Sequence, residues 1–224
     1  METAFSMQYE MLVGFNYEPA AGQSIEQRAL ATGVTAAEYA YDFMMRDEGA
    51  GMIYSPLLNY ANGNLDFLEE ALDSDDCVNS LSDGGAHCGT ICDAAATTCM
   101  LQHWVRDREG HRMPLERAIK RQCHDTARLC GFEDRRVLAP GLRADLSVID
   151  LEALQLNLPT VAFDLPTSGR RLLQTASGCD CMIKSGRVTF RGGVVTGEFS
   201  ERVIRGPQPV PESSSLPAIA SDSR

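Results

Sequence analysis

The chain has 224 residues, 44% of them hydrophobic and 23% charged, an ordinary balance for a globular protein able to bury a core. A formal net charge of -11, with no long Lys/Arg cluster, excludes the continuous basic surface that a nucleic acid or an anionic membrane requires. No run of 18 apolar residues is present, and Met1-Glu2-Thr3-Ala4 lacks the basic start and apolar core of an export signal. A cytoplasmic location is therefore expected, with the 8 cysteines as reduced thiols rather than a disulfide framework.

In chain order, Pro19-Ala20-Ala21-Gly22 breaks an apolar N-terminal stretch that has no clear period. Ser24-Ile25-Glu26-Gln27 and Thr35-Ala36-Ala37-Glu38 both fit a capping box and predict two helix starts. The second helix is expected to reach about Arg46, with Tyr39, Phe43 and Met44 on its buried face. Met52-Ile53-Tyr54-Ser55 reads as a short buried strand, Leu65 to Leu72 as a helix, and Asp76 to Leu81 as a second strand. Ala94 to Val105 and Pro114 to Leu129 read as helices, the latter opened by proline and closed by Gly131.

From Ala144 the pattern changes to strands: Leu146 to Asp150, Val161 to Phe163, Cys181 to Lys184, Arg187 to Phe190 and Val194 to Thr196. Lys184-Ser185-Gly186-Arg187 suits a tight hairpin turn. After Gly206, the proline-rich and serine-rich stretch has little to bury, and a disordered tail is expected over 207–224. Alternating helices and short apolar strands before residue 143 predict an α/β region with parallel strands.

Ser82-Asp83-Gly84-Gly85-Ala86-His87 carries the chemistry. A lone carboxylate at the end of a predicted strand is followed by two glycines that let the backbone approach a metal or substrate closely. By itself such an aspartate also serves as a cap for the following turn. The Ser82 to His87 stretch and Gly141-Leu142-Arg143-Ala144-Asp145-Leu146 together resemble the amidohydrolase superfamily, in particular the branch of N-acyl-D-amino-acid deacylases. The resemblance runs from about Tyr17 to Gly206 and includes Asn59-Tyr60, Cys92-Asp93, His103-Trp104-Val105-Arg106 and Thr196-Gly197.

That resemblance implies the C-terminal part of a (β/α)8 barrel over residues 1–143, then strands of a small β-sandwich over 144–206. It implies Asp83 as the catalytic carboxylate, able to contact the metal or its water and to carry a proton to the leaving nitrogen. It also implies zinc, a small amide substrate such as an N-acyl amino acid, and His-x-His ligands. The four histidines, His87, His103, His111 and His124, form no such pair and all follow Asp83. Most metal ligands are therefore expected outside this chain, supplied by a complementing N-terminal chain, with little activity alone.

His87 stands four residues after Asp83 and is read either as a pocket residue or as a loop cap, and Asn59 and Tyr60 as substrate contacts on the catalytic face. His87, Cys88 and Cys92 lie close enough for a soft metal site, although buried thiols acting as small hydrophobes fit the same pattern. The alternative to an enzyme is a non-catalytic interaction module, its exposed strand edges covered by a homo-oligomer or another chain.

Overall fold

The computed structural model describes residues 4–56, 58–60, 62–79, 89, 95–199 and 203–212. Strand β1 (Tyr9–Met11) leads through a loop to helix α1 (Ile25–Thr32), where the Ser24 hydroxyl accepts the Gln27 N–H at 3.3 Å. Burial of Ile25 and Ala29, one turn apart, fixes α1 against the protein. Helix α2 (Ala36–Met44) opens with the complete capping box read in the sequence: the Thr35 hydroxyl accepts Glu38 N–H, and Glu38 Oε2 accepts Thr35 N–H at 2.9 Å. Its buried face is Ala40 and Phe43, while Met44, expected inside, is 42% exposed.

Gly51 then passes so close to α2 that an added Cβ would stand 2.1 Å from the Phe43 carbonyl oxygen, so only glycine fits there. It delivers strand β2 (Met52–Tyr54), which pairs antiparallel with β1 through Tyr9 and Tyr54, Glu10 and Ile53, and Met11 and Met52.

Helix α3 (Asp66–Asp73) follows closely the span predicted for it. Helix α4 begins as an α-helical turn, Ala96–Cys99, and continues as the π-helical Met100–Asp107. Helix α5 runs through Leu115–Ile119, a π-helical segment Lys120–Asp125, and Thr126–Leu129. The wide π turn buries five consecutive residues, Met100 to Trp104, a broader face than the stripe an amphipathic α-helix buries.

The core consists of Met100, Leu101, Trp104, Met113, Ala118 and Leu154, flanked by Leu65, Leu68, Leu72 and Ile149. It spans residue 143 and so ties the helices to the strands that follow. Arg106 Nη1 reinforces the tie by donating to the Leu151 and Leu154 carbonyls, each at 2.6 Å, and Gln102 Oε1 accepts the Leu156 N–H at 2.7 Å.

Strand β3 (Leu146–Ile149) is the edge of a four-stranded antiparallel sheet. Its other members are β8 (Cys179–Lys184), β9 (Arg187–Arg191) and β10 (Val194–Val195), in the order β10-β9-β8-β3. Between β3 and β8, β4 (Gln155–Leu156) pairs with β7 (Ala176–Ser177), and β5 (Thr160–Leu165) with β6 (Gly169–Leu173). Gly178, at φ +84°, turns the chain from β7 into β8, and an added Cβ would lie 2.6 Å from the Leu154 backbone.

Helix and strand are mixed, as an α/β chain requires, but the parallel arrangement expected before residue 143 is corrected. Among the described residues every paired strand is antiparallel, and the one parallel contact is an isolated bridge between Phe132 and Gln208. Strand β2 takes β1 as its partner, and Asp76 to Asn79, expected in a strand, have no regular structure. Neither a barrel segment nor a two-sheet sandwich is seen among the described residues. At the start of the expected tail, Gln208 donates its N–H to Gly131 O at 2.8 Å and accepts that of Glu133 at 2.9 Å, while 213–224 lie outside the described residues. No helix is long and apolar enough to cross a membrane among the described residues.

Candidate functional site

The densest charged cluster gathers three distant parts of the chain around Arg108, whose side chain is 3% exposed. Glu18 comes from the loop before α1, Asp66 and Glu69 from the first turn of α3, and His103 from α4. Arg108 Nε donates to Glu18 Oε2 at 2.8 Å, Nη1 to Glu69 Oε2 at 2.5 Å, and Nη2 to Asp66 Oδ1 at 2.6 Å. Its guanidinium also sits 4.6 Å from the centre of the buried Trp104 ring, a cation–π contact. The five-residue closure of the π turn, Arg108 N–H to His103 O at 2.8 Å, sets His103 and Arg108 against the same Glu18 carboxylate.

His103 Nε2 lies 2.8 Å from Glu18 Oε2, and the Leu65 N–H donates to Glu18 Oε1 at 2.8 Å. Burial opposes ionisation of Glu18, but the bonds from Arg108, Leu65 and His103 outweigh it and hold its carboxyl at about 2. Burial lowers the pKa of the His103 imidazole against the upward pull of Glu18, so the neutral ring donates from Nε2.

This cluster holds charge without offering a ligand set. The guanidinium already occupies the space between the carboxylates, and a divalent cation beside it would meet like charge. Among the described residues no group of three or more His, Cys, Asp and Glu is arranged to hold a metal ion. The described side chains therefore do not fit the zinc that the resemblance implies.

A second feature is an open cleft of about 820 Å³ between helices α4 and α5 and the sheet, with Leu101, Leu115, Ile119, Leu146, Ile149 and Met182 among its apolar walls. His124 lines it beside Arg136. Its Nδ1 lies 2.9 Å from Asp125 Oδ1 and its Nε2 2.6 Å from Arg136 Nη1, so both ring nitrogens are engaged. An imidazole whose free lone pair already accepts from an arginine has none to offer a substrate proton.

Of the predicted site residues, Asp83 and His87 lie outside the described residues, as do Cys88 and Cys92. Asn59 is exposed at φ 59°, at the tip of a turn. Tyr60 is 2% exposed and donates its hydroxyl to the Pro19 carbonyl at 3.3 Å, and burial pushes its pKa up to about 12. The substrate contact read for Tyr60 gives way to a packing one, because its hydroxyl is spent inside the protein. Trp104, the only tryptophan in the sequence, is a core residue. Arg171 sits in β6 and forks onto Asp164 at 2.6 and 2.8 Å. Sequence reasoning missed Glu18 and Arg108, which lie 90 positions apart and carry no spacing signal.

The described residues form a mixed helix and strand domain. A family model described as the amidohydrolase family matches residues 28–190, more than half of the chain, and the chain belongs to that family. The matched span includes Asp83 and all four histidines. No curated protein matches, and no solved structure does. Membership places the chain among hydrolases that act on carbon–nitrogen bonds.

Proposed function

We propose that this chain contributes the Asp83 carboxylate to a metal-dependent hydrolase site for non-peptide carbon–nitrogen bonds, of the N-acyl amino acid type, and that the site's histidines come from outside these residues. The observation that supports this reading most is the position of Ser82-Asp83-Gly84-Gly85 inside the span matched by the family. The histidine inventory supports the second half, since no His-x-His pair exists in the sequence. Asp83 would take a proton from water and return it to the leaving nitrogen, work that a carboxylate near neutral pH performs well. Asn59 and His87 remain the residues proposed to meet the substrate.

The test is an assay of the purified chain with zinc and N-acyl amino acids, alone and with an added chain that supplies a His-x-His strand. Turnover is expected only in the mixture and is lost in Asp83→Ala. Efficient turnover by the chain alone, abolished by Asp83→Ala, would overturn the reading.

One observation favours a non-catalytic module instead: the described residues that concentrate histidine and carboxylate are closed around Arg108. Such a module predicts a compact, cooperatively folded species in hydrogen exchange and no turnover in the mixture.

A further inference from the structure

The sheet end of the molecule carries a second cavity, of about 720 Å³, that the amidohydrolase chemistry does not use. Arg135, Arg143, Lys184, Arg187 and Arg205 line it together with Ser185. No carboxylate among the described residues lines it, in a chain where acidic side chains outnumber basic ones 31 to 20. The described carboxylates that pair with these cations are not among the residues lining it. Asp134 is bonded by Arg135 at 2.8 Å and Arg143 at 3.2 Å, Asp145 by Lys184 at 2.6 Å, and Glu198 by Arg187 at 3.0 Å.

The arrangement is built rather than incidental. The β8–β9 turn has Ser185 at φ 51° and Gly186 at φ 79°, the paired positive angles of a two-residue hairpin, and sets Lys184 opposite Arg187. Asp145, at the start of β3, anchors that turn by accepting the Ser185 N–H at 2.8 Å and the Lys184 ammonium through its other oxygen. Arg143, two residues earlier, donates to the Ser185 hydroxyl at 3.1 Å. One aspartate thus fixes the turn from which two of the lining cations project.

We propose that this cavity binds a small polyanion, a molecule with at least two phosphate or carboxylate charges, independently of the hydrolytic site. The five lining cations share three carboxylates among the described residues, Asp134, Asp145 and Glu198, which leaves an excess of positive charge at the cavity, and planar guanidinium groups match oxyanions in two-point contacts.

The experiment is titration calorimetry on the full chain in metal-free buffer, with pyrophosphate and citrate as probes and acetate as the singly charged control. Arg187→Gln combined with Arg205→Gln is the variant, because both side chains are exposed and their loss leaves the core intact. The wild-type chain is expected to bind at least one of the two polyanions one to one. Affinity should fall with added salt, weaken by about tenfold or more in the double variant, and exceed that for acetate. No saturable binding of either polyanion, equal affinity for acetate, or undiminished binding by a folded double variant would each overturn the proposal. Folding of the variant is checked by its thermal midpoint. Because the assay involves no turnover, its failure leaves the hydrolase reading untouched.

Discussion

Two arginine-rich regions of this chain use the same residue types in opposite ways. Around Arg108 the carboxylates of Glu18, Asp66 and Glu69 point at the guanidinium and absorb its charge inside the helical half. At the sheet end Arg135, Arg143 and Lys184 line a cavity, while the Asp134 and Asp145 carboxylates that pair with them are not among its lining residues. The first arrangement closes a fold; the second leaves a surface with a sign. The difference lies in which partner faces solvent, and composition does not report it.

The strongest way to break the comparison is Arg108→Ala. Removing one member of a buried ion cluster leaves the others charged and unpaired, which costs about 3 to 5 kcal/mol. Asp66 is mostly exposed and recovers water, so the cost falls on Glu18, whose side chain is 14% exposed, and to a lesser degree on Glu69 at 30%. Loss of the guanidinium over Trp104 adds to it. Chemical denaturation should show a much lower midpoint, and a variant as stable as wild type would mean that Arg108 is not the hub of the helical half.

How far the fold was legible follows the same divide between local and distant contacts. The helix starts at Ser24 and Thr35 were readable because a cap is made within four residues, and the β8–β9 hairpin because Ser185-Gly186 carries its own turn geometry. Strand β1 was not readable, since three residues give no period and their partner lies more than 40 positions away. The π-helical closures of α4 and α5 were hidden too, because no residue type specifies a five-residue hydrogen bond. The amidohydrolase family was visible in the sequence, and its model matches residues 28–190. The burial of Tyr60 was not, because the Pro19 carbonyl that takes its hydroxyl is 41 positions away. The cavity cations span residues 135 to 205 and form no run that a charge scan detects.

A smaller and more selective test is Glu18→Gln, expected to cost about 1 to 3 kcal/mol at neutral pH, because the charge is lost and one oxygen that accepts N–H groups becomes an amide donor. Its signature is in the acid limb. The Glu18 carboxyl is depressed from 4.5 to about 2, so its stabilisation is fully present above pH 4.5 and is lost as the pH falls toward 2. His103 works in the same direction: its pKa is lowered from 6.5, so its contribution is present above pH 6.5 and declines as acid forces the buried ring to charge. Stability measured from pH 7 to pH 2 should fall less steeply below pH 4.5 in Glu18→Gln than in wild type. Parallel curves would place the acid sensitivity elsewhere.

The smallest expected effect comes from the opposite pole. Arg187 and Glu198 form an ion pair whose side chains are 64% and 52% exposed, where water screens the attraction and holding two long side chains in place uses most of it. Arg187→Gln should therefore shift stability by no more than about 0.5 kcal/mol in either direction. The value of this variant lies in the contrast with Arg108. If both arginines served the fold, both substitutions would lower the unfolding midpoint. If the cations at the sheet end serve a ligand, Arg187→Gln leaves unfolding nearly unchanged while weakening polyanion binding. A loss of several kcal/mol at Arg187 would instead place it in a structural network like that of Arg108 and remove the distinction between the two regions.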